Sequence, residues 1–135
     1  MKRVFADTLY WGAILHPGDQ YRQRAIHARQ ALSDAHLVTT EEVLGELLDG
    51  LARRGEALRM VAAHAVQAIL TDPRVSVHPQ SHGSFVAGLE LYRNRLDKGY
   101  SFVDCVSMNT MRREGIAEVL TNYRHFAQEG YTVLL

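Results

Sequence analysis

Short apolar segments alternate with longer stretches of helical periodicity along the whole chain, and this alternation limits the fold more than any other feature. Val4 and Phe5 lie in a strand predicted over Lys2–Ala6, broken at Asp7-Thr8. A helix is predicted from Asp19 to Ala35, entered through Pro17-Gly18, then a strand over His36–Thr39. From Thr40 a helix carries Leu44, Leu47, Leu48 and Leu51 at i, i+3, i+4, i+7, with a stop at Arg54-Gly55. The next helix, Glu56–Leu70, sets Leu58, Val61, Ala62, Ala65 and Ile69 on one stripe, and Thr71-Asp72-Pro73 ends it. Val75–Val77 is a third strand, closed by Pro79. Helices follow over Ser84–Leu96, with Phe85, Leu89, Tyr92 and Leu96 in register, and over Phe102–Arg113, ending near Gly115. A fourth strand (Glu118–Thr121), a short helix (Asn122–Gln128) and a last strand (Thr132–Leu135) complete the pattern. Strands alternating with helices imply an α/β fold: a central, mostly parallel sheet of about five strands covered by helices on both faces.

At 135 residues, 47% hydrophobic and 22% charged, the chain has ordinary globular composition and the length of one domain, residues 1–135. Fifteen basic residues balance fifteen acidic ones, so no global basic field exists and nucleic-acid binding would need a local patch. Among the basic residues only Lys2 and Lys98 are lysine, a bias expected of a GC-rich genome. The single cysteine, Cys105, cannot form an internal disulfide and reads as a small buried hydrophobe, in keeping with a reducing cytoplasm. No apolar run approaches the roughly 18 residues of a membrane span, and Met1–Asp7 turns acidic too early for a signal peptide.

In parallel sheets, ligands sit beyond the carboxyl ends of the strands, and several acids fall near those ends. Asp7 follows the first strand directly; it suits a hard-oxygen metal ligand and equally an N-cap for a helix starting at Thr8. Glu42, Glu46 and Asp49 share one helix face at i, i+4, i+7. Glu42 stands at capping-box spacing from Thr39, and Asp49 can pair with Arg53. Glu46 has Gly50 at i+4 and lacks so simple a partner, which leaves it the more available ligand, although a solvated face accounts for all three. Asp104 lies three residues after Ser101, again capping-box spacing, and a helix start also points near the sheet's edge. His78 and His82 are separated by Pro79 and lack two further zinc ligands; His125 is a weaker candidate, for proton transfer. P-loop, dinucleotide and nucleophile-elbow motifs are absent.

Four pieces in order resemble PIN-domain proteins of the VapC-like ribonuclease family. Val4-Phe5-Ala6-Asp7-Thr8 is similar to that family's opening. Val38-Thr39-Thr40-Glu41-Glu42-Val43-Leu44-Gly45-Glu46-Leu47 matches the segment with an acid on the helix after strand two, here Glu46. Asp97-Lys98-Gly99-Tyr100-Ser101-Phe102-Val103-Asp104 matches the segment of the third acid, and Leu120-Thr121-Asn122-Tyr123-Arg124-His125-Phe126 with Glu129-Gly130-Tyr131 the C-terminal signature. One departure stands out: Tyr123 occupies a position where the family usually carries Asp.

The resemblance implies a three-layer α/β/α sandwich and an Mg²⁺- or Mn²⁺-dependent endoribonuclease, the toxin of a type II toxin–antitoxin pair. Asp7, Glu46 and Asp104 would be the metal ligands and catalytic acids. Thr8 would orient Asp7, and Thr121 and Asn122 would supply neutral oxygens beside Tyr123. Candidate phosphate contacts are Arg95, Lys98, Arg112, Arg113 and Arg124. RNA, an antitoxin protein and a second copy of the chain are the implied partners. The neutral group at Tyr123 implies a weaker hold on a second metal. It also keeps open the alternative of a PIN-like scaffold that binds RNA or protein without cutting.

Overall fold

A computed structural model describes residues 1–135. Strands β1 (Arg3–Ala6), β2 (His36–Thr40), β3 (Val75–His78), β4 (Glu118–Leu120) and β5 (Thr132–Val133) form one sheet in the order β3-β2-β1-β4-β5, with every pairing parallel. Between them run α1 (Thr8–Leu15), α2 (Arg22–Ala31), α3 (Glu41–Leu51), α4 (Glu56–Thr71), α5 (His82–Arg93), α6 (Phe102–Glu114) and α7 (Arg124–Gln128). Phe5 lies between Val38 and Val119, so β1 occupies the middle of the sheet. Successive strand residues face opposite sides. Val4, Phe5 and Ala6 are all fully buried, so both faces of the sheet are covered and the layers are those the resemblance implies. Burying one side chain of the size of Phe5 contributes roughly 2–3 kcal/mol.

The strand order places a crevice where the site is found. The chain steps outward from β1 to β2 and β3, then returns to lay β4 on the other side of β1. Connections therefore diverge between β1 and β4, and a ligand site is expected beyond their carboxyl ends.

Several element boundaries differ from the sequence expectation. The second helix is shorter than Asp19–Ala35, because Asp19 forms a turn instead: its side chain accepts from the Tyr21 N–H at 2.8 Å. Helix α5 begins earlier than Ser84, at His82, since Ser81 and Ser84 cap each other's backbone reciprocally; it ends before Leu96, which is exposed. Strand β4 stops at Leu120, where Thr121 turns back to bond the Val119 carbonyl. Helix α7 begins at Arg124, not Asn122.

Candidate active site

Three carboxylates from three elements meet at the crevice. Asp7 follows β1 and is tied to the neighbouring strand by its own N–H, which reaches the Leu120 carbonyl at 3.3 Å. It occupies the N-cap position of α1, yet its side chain makes no capping bond. Its Oδ2 instead accepts from the Thr121 hydroxyl at 2.9 Å. The cap reading of Asp7 thus fails at the side chain, and the carboxylate is left for other use.

Glu46 projects from α3. Its Oε1 accepts from the Thr8 hydroxyl, so the Thr8 side chain orients Glu46 and not, as expected from sequence, Asp7. The expectation that Glu42 closes a capping box with Thr39 is corrected as well. Thr40 is the cap, accepting from the Val43 N–H at 3.1 Å, while buried Thr39 donates to the Ala6 carbonyl at 2.9 Å and locks β2 to β1. Glu42 instead accepts from the Ser84 hydroxyl at 2.9 Å.

Asp104 stands at N3 of α6 and does cap it: Ser101 Oγ accepts from the Asp104 N–H, and Asp104 Oδ2 accepts from the Ser101 N–H at 3.1 Å. The same Oδ2 lies 2.9 Å from His125 Nδ1. Capping therefore positions this carboxylate at the crevice. His125, weighed on sequence only as a proton carrier, is a positioning partner that spacing could not reveal.

Glu46, Asp104, Tyr123 and His125 line a cavity of about 340 Å³, with Thr8 and Gly50 at one margin. Asp7 forms the buried base beside it, at 2% exposure. Burial, reinforced by the charges of Asp104 and Glu46, lifts its pKa from 3.8 to about 7, against the lowering effect of its bonds from Thr121 and the Thr8 N–H. Burial also raises Glu46, with Asp104 and Asp49 adding to the shift and the Thr8 bond opposing it. No Lys or Arg forms an ion pair with any of the three acids. Clustered carboxylates without a counter-charge are costly, and a bound cation removes that cost.

The donor set fits a hard divalent ion, since it offers carboxylate and hydroxyl oxygens and no thiolate. No group of three or more Asp, Glu, His or Cys side chains is arranged to hold an ion, so an ion bound here would take at most two of these carboxylates directly and its remaining ligands from water.

The other predicted site residues divide. Thr121 serves Asp7 and also accepts from the Tyr123 N–H at 3.3 Å. Asn122 turns away, its amide donating to the Leu135 carbonyl at 2.8 Å, and pins the C-terminus. Arg95 is occupied by Glu129, at 2.9 Å, which also accepts from Tyr100. Burial, reinforced by that bond, pushes the Tyr100 phenol up to about 12. Arg112 bonds Asn109, and Arg113 lies beside Glu114; both are at the far end of α6, about 12–14 Å along the helix axis from Asp104. Lys98 and Arg124 lie outside the carboxylate cavity and line an adjoining one that shares Tyr123 and His125 with it.

The PIN domain family model matches residues 4–128. The chain is a PIN-domain protein. This PIN domain is 31% identical over 128 residues to the 23S rRNA-specific endonuclease VapC20 of Mycobacterium tuberculosis strain CDC 1551, covering 95% of each chain. The crystal structure of Mycobacterium tuberculosis VapC20, a sarcin-ricin loop cleaving toxin, superposes with a TM-score of 0.85 at 27% identity and 96% coverage of both chains. FitAcB from Neisseria gonorrhoeae shares the fold, with a TM-score of 0.66 at 16% identity, over 98% of this chain and 96% of that one. The five-stranded parallel sheet and the VapC-like ribonuclease assignment agree with the expectation from sequence. No helix is long and apolar enough to cross a membrane.

Proposed function

We propose that this PIN domain is a divalent-cation-dependent endoribonuclease and the toxin of a toxin–antitoxin pair, working in the cytoplasm and acting on ribosomal RNA, the substrate that VapC20's name gives for that protein. The observation that carries the proposal is that Glu46 and Asp104 line one cavity at the β1/β4 crevice beside buried Asp7, with no Lys or Arg paired to any of the three and only His125 against Asp104. Asp7 and Asp104 would hold Mg²⁺ or Mn²⁺, with Glu46 reaching it through water. When bound, such an ion would offset the charge of the phosphate and acidify water near neutral pH.

The chain's own groups set the geometry. The Thr121 hydroxyl aims Asp7, the Thr8 hydroxyl holds Glu46, and Ser101 with His125 fixes Asp104. Tyr123 adds a neutral hydroxyl at the cavity where a fourth acid is usual, which favours a single ion. An antitoxin and a second copy of this chain are the proposed protein partners. The exposed row of Phe85, Val86, Leu89 and Tyr92 along α5 supports an apolar interface.

Purified protein incubated with ribosomal RNA is expected to cut it in Mn²⁺, to stop in excess EDTA, and to lose cutting in Asp104→Asn. Unchanged cutting by that variant would remove the carboxylate site from the mechanism. Binding without cutting by the wild type would leave the scaffold reading, which Tyr123 favours.

A further inference from the structure

The carboxylate cavity is the middle one of three. On one side it shares Thr8 and Gly50 with a cavity of about 420 Å³ between α1 and the C-terminal end of α3. On the other it shares Tyr123 and His125 with a cavity of about 640 Å³ beside α7. The three form one groove across the carboxyl edge of the sheet. Its first limb is kept open by Gly12 and Gly50, where an added Cβ would meet nothing within 4 Å.

Charge along this groove has a pattern. The centre is anionic and each end carries a cation without a strong partner. In the first limb Arg54 is exposed and makes no ion pair. His16 beside it accepts the Gly18 N–H on Nδ1 at 3.0 Å, leaving Nε2 unengaged. The acid of that limb, Asp19, is turned to the Tyr21 N–H. In the other limb Arg124 has no acidic partner, and Lys98 only a loose one in Asp97 at 3.7 Å. Between centre and second limb, Tyr123 stands half exposed, its ring 6.5 Å from that of His125. A small anion would need one cation. Two cations on opposite sides of a central anionic pocket, with an aromatic face between, suit a polymer whose charges recur and whose bases can stack.

We propose that a single RNA strand lies along this groove, with Arg54 and Arg124 holding phosphates on either side of the carboxylates and Tyr123 stacking on an intervening base. The proposal rests on the nuclease reading for its central phosphate. It adds Arg54, which lies outside every segment of the family resemblance, and a direction across the molecule.

The test is fluorescence anisotropy with a labelled unstructured RNA of about ten nucleotides, kept intact as checked by gel, alongside ribosomal RNA cutting. Arg54→Ala is expected to weaken binding about tenfold and to lower the slope of log affinity against log salt by about one. In cutting, it should raise KM and leave kcat nearly unchanged. Tyr123→Ala should weaken binding, and Tyr123→Phe should restore it, since a ring stacks without its hydroxyl. Arg93→Ala, on α5 and paired to Glu90, serves as the charge control and should change nothing. Unchanged affinity and salt slope in Arg54→Ala, an equal loss in Arg93→Ala, or no binding by the wild type would each overturn the groove. If wild type binds in this pattern and cuts nothing, the nuclease reading fails and the groove stands. If it cuts while Arg54→Ala matches it, the groove fails alone.

Discussion

Asp7 carries opposed demands, because the burial that puts its carboxylate at the base of the site also penalises its charge. Its pKa in the folded protein, about 7, lies above the ordinary value of 3.8. The folded state therefore binds the proton more tightly than the unfolded chain. This contribution is fully present below about pH 4 and is lost as pH rises through about 7. The whole shift corresponds to roughly 4 kcal/mol, reached well above pH 7 in the absence of a cation. Metal-free Asp7→Asn, which keeps the shape and removes the titration, is expected to be more stable than wild type at about pH 8, with the advantage shrinking as pH falls and gone near pH 4. Thermal unfolding in EDTA across that range checks this; a wild-type curve as flat as the variant's would mean the carboxylate is not strained. The same variant should lose cutting, so stability and activity part company at one residue.

Helices α5 and α6 show how an element reaches the site by packing rather than by its own polar residues. Gly88 on α5 is where they approach most closely: an added Cβ would sit 2.9 Å from both Phe102 and Val106 of α6. Phe102 is the first residue of α6 and Asp104 lies in the same first turn, so pressure here bears on the end of the helix that presents the carboxylate. Gly88→Ala is expected to cost about 1–3 kcal/mol in denaturant unfolding, since Val106 is buried and branched and has little room to give. A neutral or stabilising result would show that the helices separate freely. The opposite end of α6 is closed by Gly115 in the left-handed conformation, at φ 69°. Both ends were visible in the sequence, as Ser101 to Asp104 spacing and a glycine after Arg113. Gly88 was not, because a close approach between helices leaves no mark on either helix alone.

Across the whole molecule, the acids at positions 7, 46 and 104 are brought together by a sheet whose order reverses between β1 and β4, so ion binding and folding should be coupled. Mn²⁺ is expected to raise the unfolding temperature of the wild type, by up to about 2.7 kcal/mol of stability at a hundredfold excess over Kd, and to do little for Asp7→Asn. Tyr123→Asp, which restores a fourth acid, should bind Mn²⁺ more tightly by calorimetry; no gain would mean that this position does not face the ion. The alternation of strands and helices, the helix caps at Ser101 and Gly115 and the buried stripe of α3 were legible from residues alone, because they depend on neighbours one to four positions away; the stripe of Phe85, Leu89, Tyr92 and Leu96 is exposed instead, and α5 packs through Gly88 and Leu91. The family signature pointed to the three acids. What lay beyond the sequence were the bonds between distant segments: Thr121 to Asp7, Thr8 to Glu46, His125 to Asp104, and Glu129 taking Arg95 out of the substrate set. Local order follows from backbone geometry and periodicity. The choice of which acid stays free, and which arginine, follows from partners that only a folded chain brings within 3 Å or so of one another.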